Sequence, residues 1–317
     1  MSPDLLHVVT CVSNPMRYQR RPALYRMFEK HMRCSGVPLT TVELAYGERP
    51  FEVTTAGAPG DVQVRVPRVD GIWRKEDLLN IGVQSLPADW KYVAWIDADV
   101  FFTRQDWASE TVHLLQQHAV MQLFSEAVDL DLEHRPLPGR QFFQSFMYSY
   151  IHGIGSPNGR YDDKAHHPGF AWACTREAYD SLGGFVDWAV LGSADRHMAM
   201  GLVGLADASM PDGISRNYRD LVSGWQDRAE AHVHRRVGYL PGLIYHGFHG
   251  PKINRQYGDQ WKILTRYQYS PATDIVRDRT RHGCLLWSRE NSPRLRGLRD
   301  ATLRYHADRD EDSTSLV

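Results

Sequence analysis

Paired cysteines, a basic leader and long apolar runs are all missing from this chain of 317 residues, and each absence excludes something. Cys11, Cys34, Cys174 and Cys284 form no Cys-x-x-Cys pair, which argues against a disulfide framework and against a structural zinc site. The opening MSPDLLHVVTCV carries no basic leader, and no stretch approaches the roughly 18 apolar residues of a membrane span. A reducing, cytoplasmic setting without a membrane span is the expectation. No G-x-G-x-x-G follows the first apolar run, where the sequence reads TCVSNPMRY, so an NAD-dependent Rossmann enzyme is excluded. Internal repeats are absent. Lysine is scarce, six against 31 arginines; arginine suits bidentate phosphate contacts, but coding bias produces the same skew. With a formal net charge of −1, no global field demands a polyanionic partner.

What is present is 42% hydrophobic and 24% charged, ordinary for a globular protein with a sizeable core. Short apolar runs alternate with amphipathic stretches. LLHVVTCV (5–12), LTTVELAYG (39–47) and VQVRVP (62–67) read as strands, and RPALYRMFEKHM (22–33) as a helix. KEDLLNIGVQSL (75–86) sets Leu79, Val83 and Leu86 at helical spacing and leads into the strand KYVAWIDADVFF. A helix near 107–118 and the strand AVMQLFSEAV (119–128) follow. The alternation predicts an α/β fold with a mostly parallel sheet and helices on both faces. Such sheets bind ligands at the carboxyl ends of their strands.

Residues 129–168 are rich in Gly, Pro, Tyr and Phe, a loop whose length suits a lid or an acceptor-binding element. After it come the short strand GFAWACT, a helix near 176–182, a helix around 194–204, and a strand ending in a histidine turn over 237–250. From 288 the chain is Arg-rich and then acidic (ADRDEDSTS), and is expected to be a partly disordered tail.

Three stretches carry chemistry. In YVAWIDADVFF (92–102), Asp97-Ala-Asp99 interrupts an apolar run that resumes on its far side. The same spacing recurs at Asp129–Asp131, Asp308–Asp310 and Asp310–Asp312. The last two read as solvated charge in the tail, whereas Asp129 and Asp131 follow a strand and remain a competitor. Aspartates can end a turn at a strand terminus. Exposure alone does not explain two carboxylates embedded in apolar sequence; a hard divalent cation shared with substrate phosphates does. In IYHGFHGPKINRQY (244–257), His246 and His249 offer imidazoles to Mn²⁺ or a similar cation, and Lys252 and Arg255 can hold phosphate oxygens. In LGGFVDWAVLGSADRHMAM (182–200), Ser193 or Asp195 can cap a helix. Alternatively Asp195 is a general base, with Asp187 and His197 as further candidates for that role.

Together KEDLLNIG, WIDADVFF, GGFVDWAVLGSAD and YHGFHGPK, in that order, resemble the GT-A class of nucleotide-sugar-dependent glycosyltransferases. The resemblance covers roughly residues 5–268. The HPGFAWA, LGGFVDWAVLGSADRHMAM and FHGPKINRQY stretches look like glycosyltransferase-like proteins of bacteriophage and bacterial genomes, which places the chain in a bacterial cell or a phage-infected host. The resemblance implies a glycosyltransferase (hexosyltransferase) domain over 1–287, with a nucleotide-sugar half at about 1–128, an acceptor half at about 129–287, and a tail from 288 to 317. It implies Mn²⁺ or Mg²⁺ held by Asp99 with His249 or His246, and Asp97 on the ribose or on the metal through water. Lys252 would meet the diphosphate, Lys75 and Asn80 would line the donor pocket, and Asp195 would be the base of an inverting reaction. The familiar H-x-x-G-x-x-K arrangement is altered: counted from His246, Lys252 is in place but His249 stands where Gly is expected. The implied donor is a UDP-sugar, and the acceptor is a saccharide or a hydroxymethylated base in phage DNA. From another class, a catalytically silent nucleotide-sugar or glycan-binding module fits the same stretches.

Overall fold

A computed structural model describes residues 5–137, 142–157, 165–251, 254, 258–278 and 282–315. The first half runs β1 (Leu6–Ser13), α1 (Arg20–Cys34), β2 (Leu39–Tyr46), β3 (Asp61–Val66), α2 (Lys75–Gln84), β4 (Tyr92–Ile96), β5 (Val100–Phe102), α3 (Trp107–Leu114), β6 (Val120–Gln122) and β7 (Glu126–Asp129). Then come β8 (Phe143–Gln144), α4 (Phe146–Ile151), β9 (Ala171–Thr175), α5 (Arg176–Leu182), α6 (Ala194–Gly201), α7 (Arg216–Arg228), β10 (Val237–Tyr239) and β11 (Leu243–His246). The chain closes with α8 (Asp259–Arg266), α9 (Pro271–Asp274), the ribbon β12 (Ile275–Arg277) and β13 (Leu285–Trp287), and α10 (Pro293–Ala307).

The main sheet has the order β10-β6-β9-β4-β1-β2-β3. β3, β2, β1 and β4 are parallel neighbours, as are β6 and β10, while β9 runs antiparallel between β4 and β6. This is the mostly parallel α/β sheet that the alternation predicts. Adjacent residues of a strand face opposite sides, and β1 shows what each side buries. Val9 belongs to the apolar cluster that also holds Leu79 and Val83 of α2 and Leu182, Met198 and Trp225 of α5, α6 and α7. Val8 packs with Tyr25, Phe28 and Met32 of α1 and Trp107 of α3. Helices therefore cover both faces. Strand order reverses at β1, with β2 on one side and β4 on the other. The crevice beyond the carboxyl ends of β1 and β4 is the switch point where doubly wound sheets bind ligands. Asp97 directly follows β4.

Three expected strands turn out to be broken. Residues 92–102 form β4 and β5, 119–128 form β6 and β7, and 237–250 contain β10 and β11. In each pair the first member lies in the main sheet and the second in a smaller sheet of order β5-β11-β7-β8. Both halves are buried, so the apolar content runs on through the break and period-two reasoning sees one strand. The crossing lifts Asp97-Ala-Asp99 out of both ladders and sets it in the gap between sheets.

The C-terminal segment is no solvated appendage. Leu295, Leu298 and Tyr305 of α10 join a cluster with Leu264, Tyr269 and Leu285. Beyond the helix, Asp312 accepts from the amides of Gln19 at 2.9 Å and Arg20 at 3.0 Å. It thereby serves unpaired donors at the start of α1, whose Gln19 provides no side-chain cap, and its charge suits the positive end of that helix. Glu311 is only 2% exposed because Arg21 grips both its oxygens at 2.7 Å. The acidic residues that composition assigns to solvent are thus partly drawn inward by arginine and helix-end partners.

Candidate functional site

A cavity of about 250 Å³ opens at the switch point, and its walls include Lys75, Asp97, Asp99, Asp195, His246 and His249. The smaller sheet supplies the precise placement of its histidines. β11 pairs with β5 and β7, so His246 stands opposite Val100 on one side and Asp129 on the other. The register sets His246 beside Asp99, one residue before Val100, and beside the end of β7. The Gly247 amide donates to the Asp99 carbonyl at 2.8 Å, which tethers the histidine turn to the aspartate turn.

Asp99, His246 and His249 each aim one ligand atom at a common point, all within 4.8 Å of one another. Asp99 Oδ2 lies 3.3 Å from His249 Nε2 and 3.7 Å from His246 Nε2, and the two Nε2 atoms are 3.3 Å apart. Nothing in ordinary core packing draws two imidazole nitrogens and a carboxylate to one spot. One carboxylate oxygen and two imidazole nitrogens form a donor set that a divalent first-row cation such as Mn²⁺ can take. His246 Nδ1 pairs with Asp129 Oδ1 at 2.9 Å, both residues being 4% exposed. A carboxylate on the far ring nitrogen fixes the tautomer that leaves Nε2 with its lone pair for a metal. Asp129, the competitor to Asp99 in sequence, is its collaborator in space. Asp131 instead accepts the amides of Glu133 and Arg135, both at 2.9 Å, and shapes the turn. Both histidines belong to the cluster. Asp129→Asn is expected to weaken Mn²⁺ binding about 10–100-fold, read by calorimetry; an unchanged affinity would remove Asp129 from the site.

Asp97 takes a separate part. Its Oδ1 lies 2.5 Å from Lys75 Nζ, at the first residue of α2. Burial works against the Lys75 charge, but Asp97, Glu76 and Asp195 outweigh it and hold the ammonium above its ordinary range. Asp195 sits in the first turn of α6. Burial raises its pKa, and the Lys75 charge opposes the rise. Its Oδ1 accepts the Arg196 amide at 2.8 Å, while a Cβ at Gly169 would lie 2.9 Å from its Oδ2, so glycine there keeps space for the carboxylate. Ser193 makes no side-chain cap bond; it accepts from Gln260 Nε2 at 2.5 Å.

Three other expectations fare differently. Asn80 is not in the cavity wall. Its carboxamide donates to the Phe185 carbonyl and to Asp187, and accepts from the Phe185 amide and the Tyr179 hydroxyl, at 2.9–3.1 Å. It clamps the 184–187 loop and is a positioning residue, its polar capacity spent inside the protein. Asp187 is held by Asn80 and Arg277. His197 lies between Ser209 Oγ at 2.6 Å and Tyr218 Oη at 2.9 Å, and burial pushes its pKa down to about 3, so it is a core histidine. Lys252 and Arg255 lie outside the described residues, as do parts of the 129–168 loop.

Sequence reasoning passed over Glu76 and Glu311. Glu76, 5% exposed, lines the cavity; burial pushes its pKa up to about 8, partly countered by Lys75. An acidic residue in a helix's first turn normally signals an exposed partner for the helix dipole, so no pattern betrays its burial. Glu311 Oε2 comes within 3.8 Å of His249 Nδ1, bringing the far end of the chain to the cluster.

The fold and site together define a doubly wound α/β protein with a His-His-Asp cluster at its switch point. No family model matches the chain, and no curated protein does. Among solved structures it is similar to a mutant of Drosophila β1,4-galactosyltransferase 7 in complex with manganese, UDP-Gal and xylobiose, at 13% identity and a TM-score of 0.34, covering 65% of this chain and 63% of that one. Staphylococcus aureus TarS matches at 10% identity and a TM-score of 0.38, over 82% and 65% of the two chains. Mycobacterium tuberculosis glucosyl-3-phosphoglycerate synthase with Mn²⁺, UDP and phosphoglyceric acid matches at 10% identity and a TM-score of 0.35, over 84% and 76%. The chain spans less than two thirds of the length of the first two. At such scores these likenesses say nothing about what this chain acts on. Among the described residues no helix is long and apolar enough to cross a membrane.

Proposed function

We propose that the protein is a metal-dependent glycosyltransferase of the GT-A class, moving a hexose from a UDP-sugar to an acceptor hydroxyl. The observation that carries this reading is the convergence of Asp99, His246 and His249 at the switch-point cavity, with Asp195 lining the same cavity. A divalent ion held by those three residues would neutralise charge that develops on a departing diphosphate. Lys75 adds a fixed positive charge, and Asp97 holds it in place. Asp195, with its proton affinity raised by burial, is suited to accept the acceptor hydroxyl's proton. Lys252 and Arg255 follow the histidine turn in sequence and are proposed to meet phosphate oxygens.

For the acceptor we propose a saccharide over a hydroxymethylated DNA base, because a net charge of −1 offers little attraction to a polyanion. A DNA acceptor would show binding that falls steeply with added salt. The direct test is slow hydrolysis of UDP-glucose, UDP-galactose or their N-acetyl forms, expected with Mn²⁺ and lost with chelator. Tight UDP binding without turnover of any donor would instead indicate a binding module and overturn the enzymatic reading.

A further inference from the structure

The far end of the chain supplies part of the cavity wall. Tyr305 and His306 of α10 line it, and Arg309 and Glu311 continue that lining beyond the helix. A carboxylate is costly to bury unless opposite charge accompanies it, and two guanidiniums accompany Glu311. Arg21 holds both its oxygens at 2.7 Å, and Arg309 Nε lies 3.1 Å from Oε1. Arg21 also donates to the carbonyl of Ser13, the last residue of β1, so the Glu311 carboxylate is fixed relative to the sheet at the switch point.

The tail, α1 and the histidine turn meet closely. Gly250, next to His249, has φ +85°, and a Cβ on it would lie 2.9 Å from the Asp310 carbonyl oxygen and 2.9 Å from Glu311 Cα. The histidine turn and the tail therefore touch backbone to backbone, where only glycine leaves room. A Cβ on Gly247 would meet Leu24 of α1 at 2.6 Å, and Asp312 accepts from amides at the start of that same helix. From this junction Glu311 Oε2 faces Nδ1 of His249 at 3.8 Å, while Nε2 of the same ring is turned to Asp99 and His246. His246 has the matching arrangement, with Asp129 behind its ring and Asp99 in front.

We infer that Glu311 is a positioning residue for the cation, acting through His249. Its negative charge beside the outer ring nitrogen orients the imidazole and strengthens Nε2 as a donor, as Asp129 does for His246. This rests on the metal-dependent reading and extends it to the C-terminal segment. At 3.8 Å the interaction is electrostatic rather than a hydrogen bond. Its expected size is therefore about tenfold, the lower end of what such supporting partners contribute to metal affinity. By linkage, a seated tail that raises Mn²⁺ affinity about tenfold is itself held about tenfold more firmly when Mn²⁺ is bound.

The test is Mn²⁺ binding to the full chain, read by paramagnetic resonance, in a double-mutant cycle of Glu311→Gln and His249→Ala. Glutamine keeps the length and an oxygen for Arg21 but loses the charge. Glu311→Gln is expected to weaken Mn²⁺ binding about tenfold with His249 present and less than about twofold without it, because the effect passes through that ring. An equal loss in both backgrounds would mark Glu311 as merely structural and overturn the inference, and so would wild-type affinity in Glu311→Gln. A second measurement needs no variant. Mn²⁺ is expected to slow tryptic cleavage after Arg309 about tenfold, measured against an unstructured reference peptide, because cleavage follows the population of unseated tail. An unchanged rate would overturn the coupling. Should either variant fail to fold or bind too weakly to measure, the proteolysis decides. If the wild type binds no Mn²⁺, the metal-dependent reading itself fails; if it binds Mn²⁺ and Glu311→Gln binds it equally well, only the role of Glu311 does.

Discussion

Asp99→Ala is expected to weaken Mn²⁺ binding by at least about 100-fold, equivalent to roughly 2.7 kcal/mol or more, while leaving the melting temperature nearly unchanged. Asp99 is the carboxylate of the Asp99, His246 and His249 cluster. Without it only the two imidazoles remain, and neither supplies a formal negative charge to offset the cation. The fold should tolerate the change because the turn keeps its backbone tie, the Asp99 carbonyl accepting the Gly247 amide. Titration calorimetry or Mn²⁺ paramagnetic resonance measures the affinity directly, without needing the substrate. Retention of wild-type affinity would place the metal elsewhere and remove the main support for the proposed activity.

Asp195→Asn is expected to lower transfer by about 10²–10⁴-fold, the usual worth of a general base, with UDP affinity preserved. Asparagine keeps the shape and can still accept the Arg196 amide through its carbonyl oxygen, but it cannot take a proton. The pH profile supplies a second readout. Because burial raises the Asp195 pKa above its ordinary value, the wild-type rate should decline on the acid side as the carboxylate protonates, beginning at a higher pH than for an exposed aspartate. Residual activity in the variant should lack that limb. An unaltered rate, or loss of UDP binding in parallel with activity, would reassign Asp195 to donor binding or to the fold.

The two variants separate the functions of one cavity. Asp99 belongs to the cluster that would hold the cation, and Asp195 to the proton chemistry beside it. Lys75 and Asp97 stand between them as a charge pair. Glu76 adds a buried carboxyl to the same wall, with its pKa pushed up to about 8 by burial and partly countered by Lys75.

Much of this architecture was written locally. The β1–α1–β2 and α2–β4 alternation declares itself through apolar periodicity, and so does the resulting sheet with helices on both sides. Asp97-Ala-Asp99 is conspicuous because carboxylates rarely punctuate a buried run. His246 and His249 stand out because two imidazoles share one glycine-flanked turn. These are short-range facts, carried by neighbours along the chain.

What neighbours could not carry was partnership across the fold. The break of residues 92–102, 119–128 and 237–250 into two sheets leaves no apolar signature, since both halves are buried, yet that break sets His246 between Val100 and Asp129. Asp129 and Asp99 look like rivals when spacing is the criterion; a strand register 117 positions away makes one the support of the other's histidine partner. Asn80 shares its helix with Lys75 but spends its carboxamide on the 184–187 loop, because hydrogen-bond satisfaction is settled by whichever backbone groups pack nearby. The acidic tail reads as solvated until Arg21 and the start of α1 claim Glu311 and Asp312. The sequence by itself determined the layered fold and the residue types of the cluster, through periodicity and composition. Only the tertiary structure decided which carboxylates meet, which are spent on structure, and which helix closes the cavity, because those outcomes depend on long-range packing and on which charges burial forces into contact.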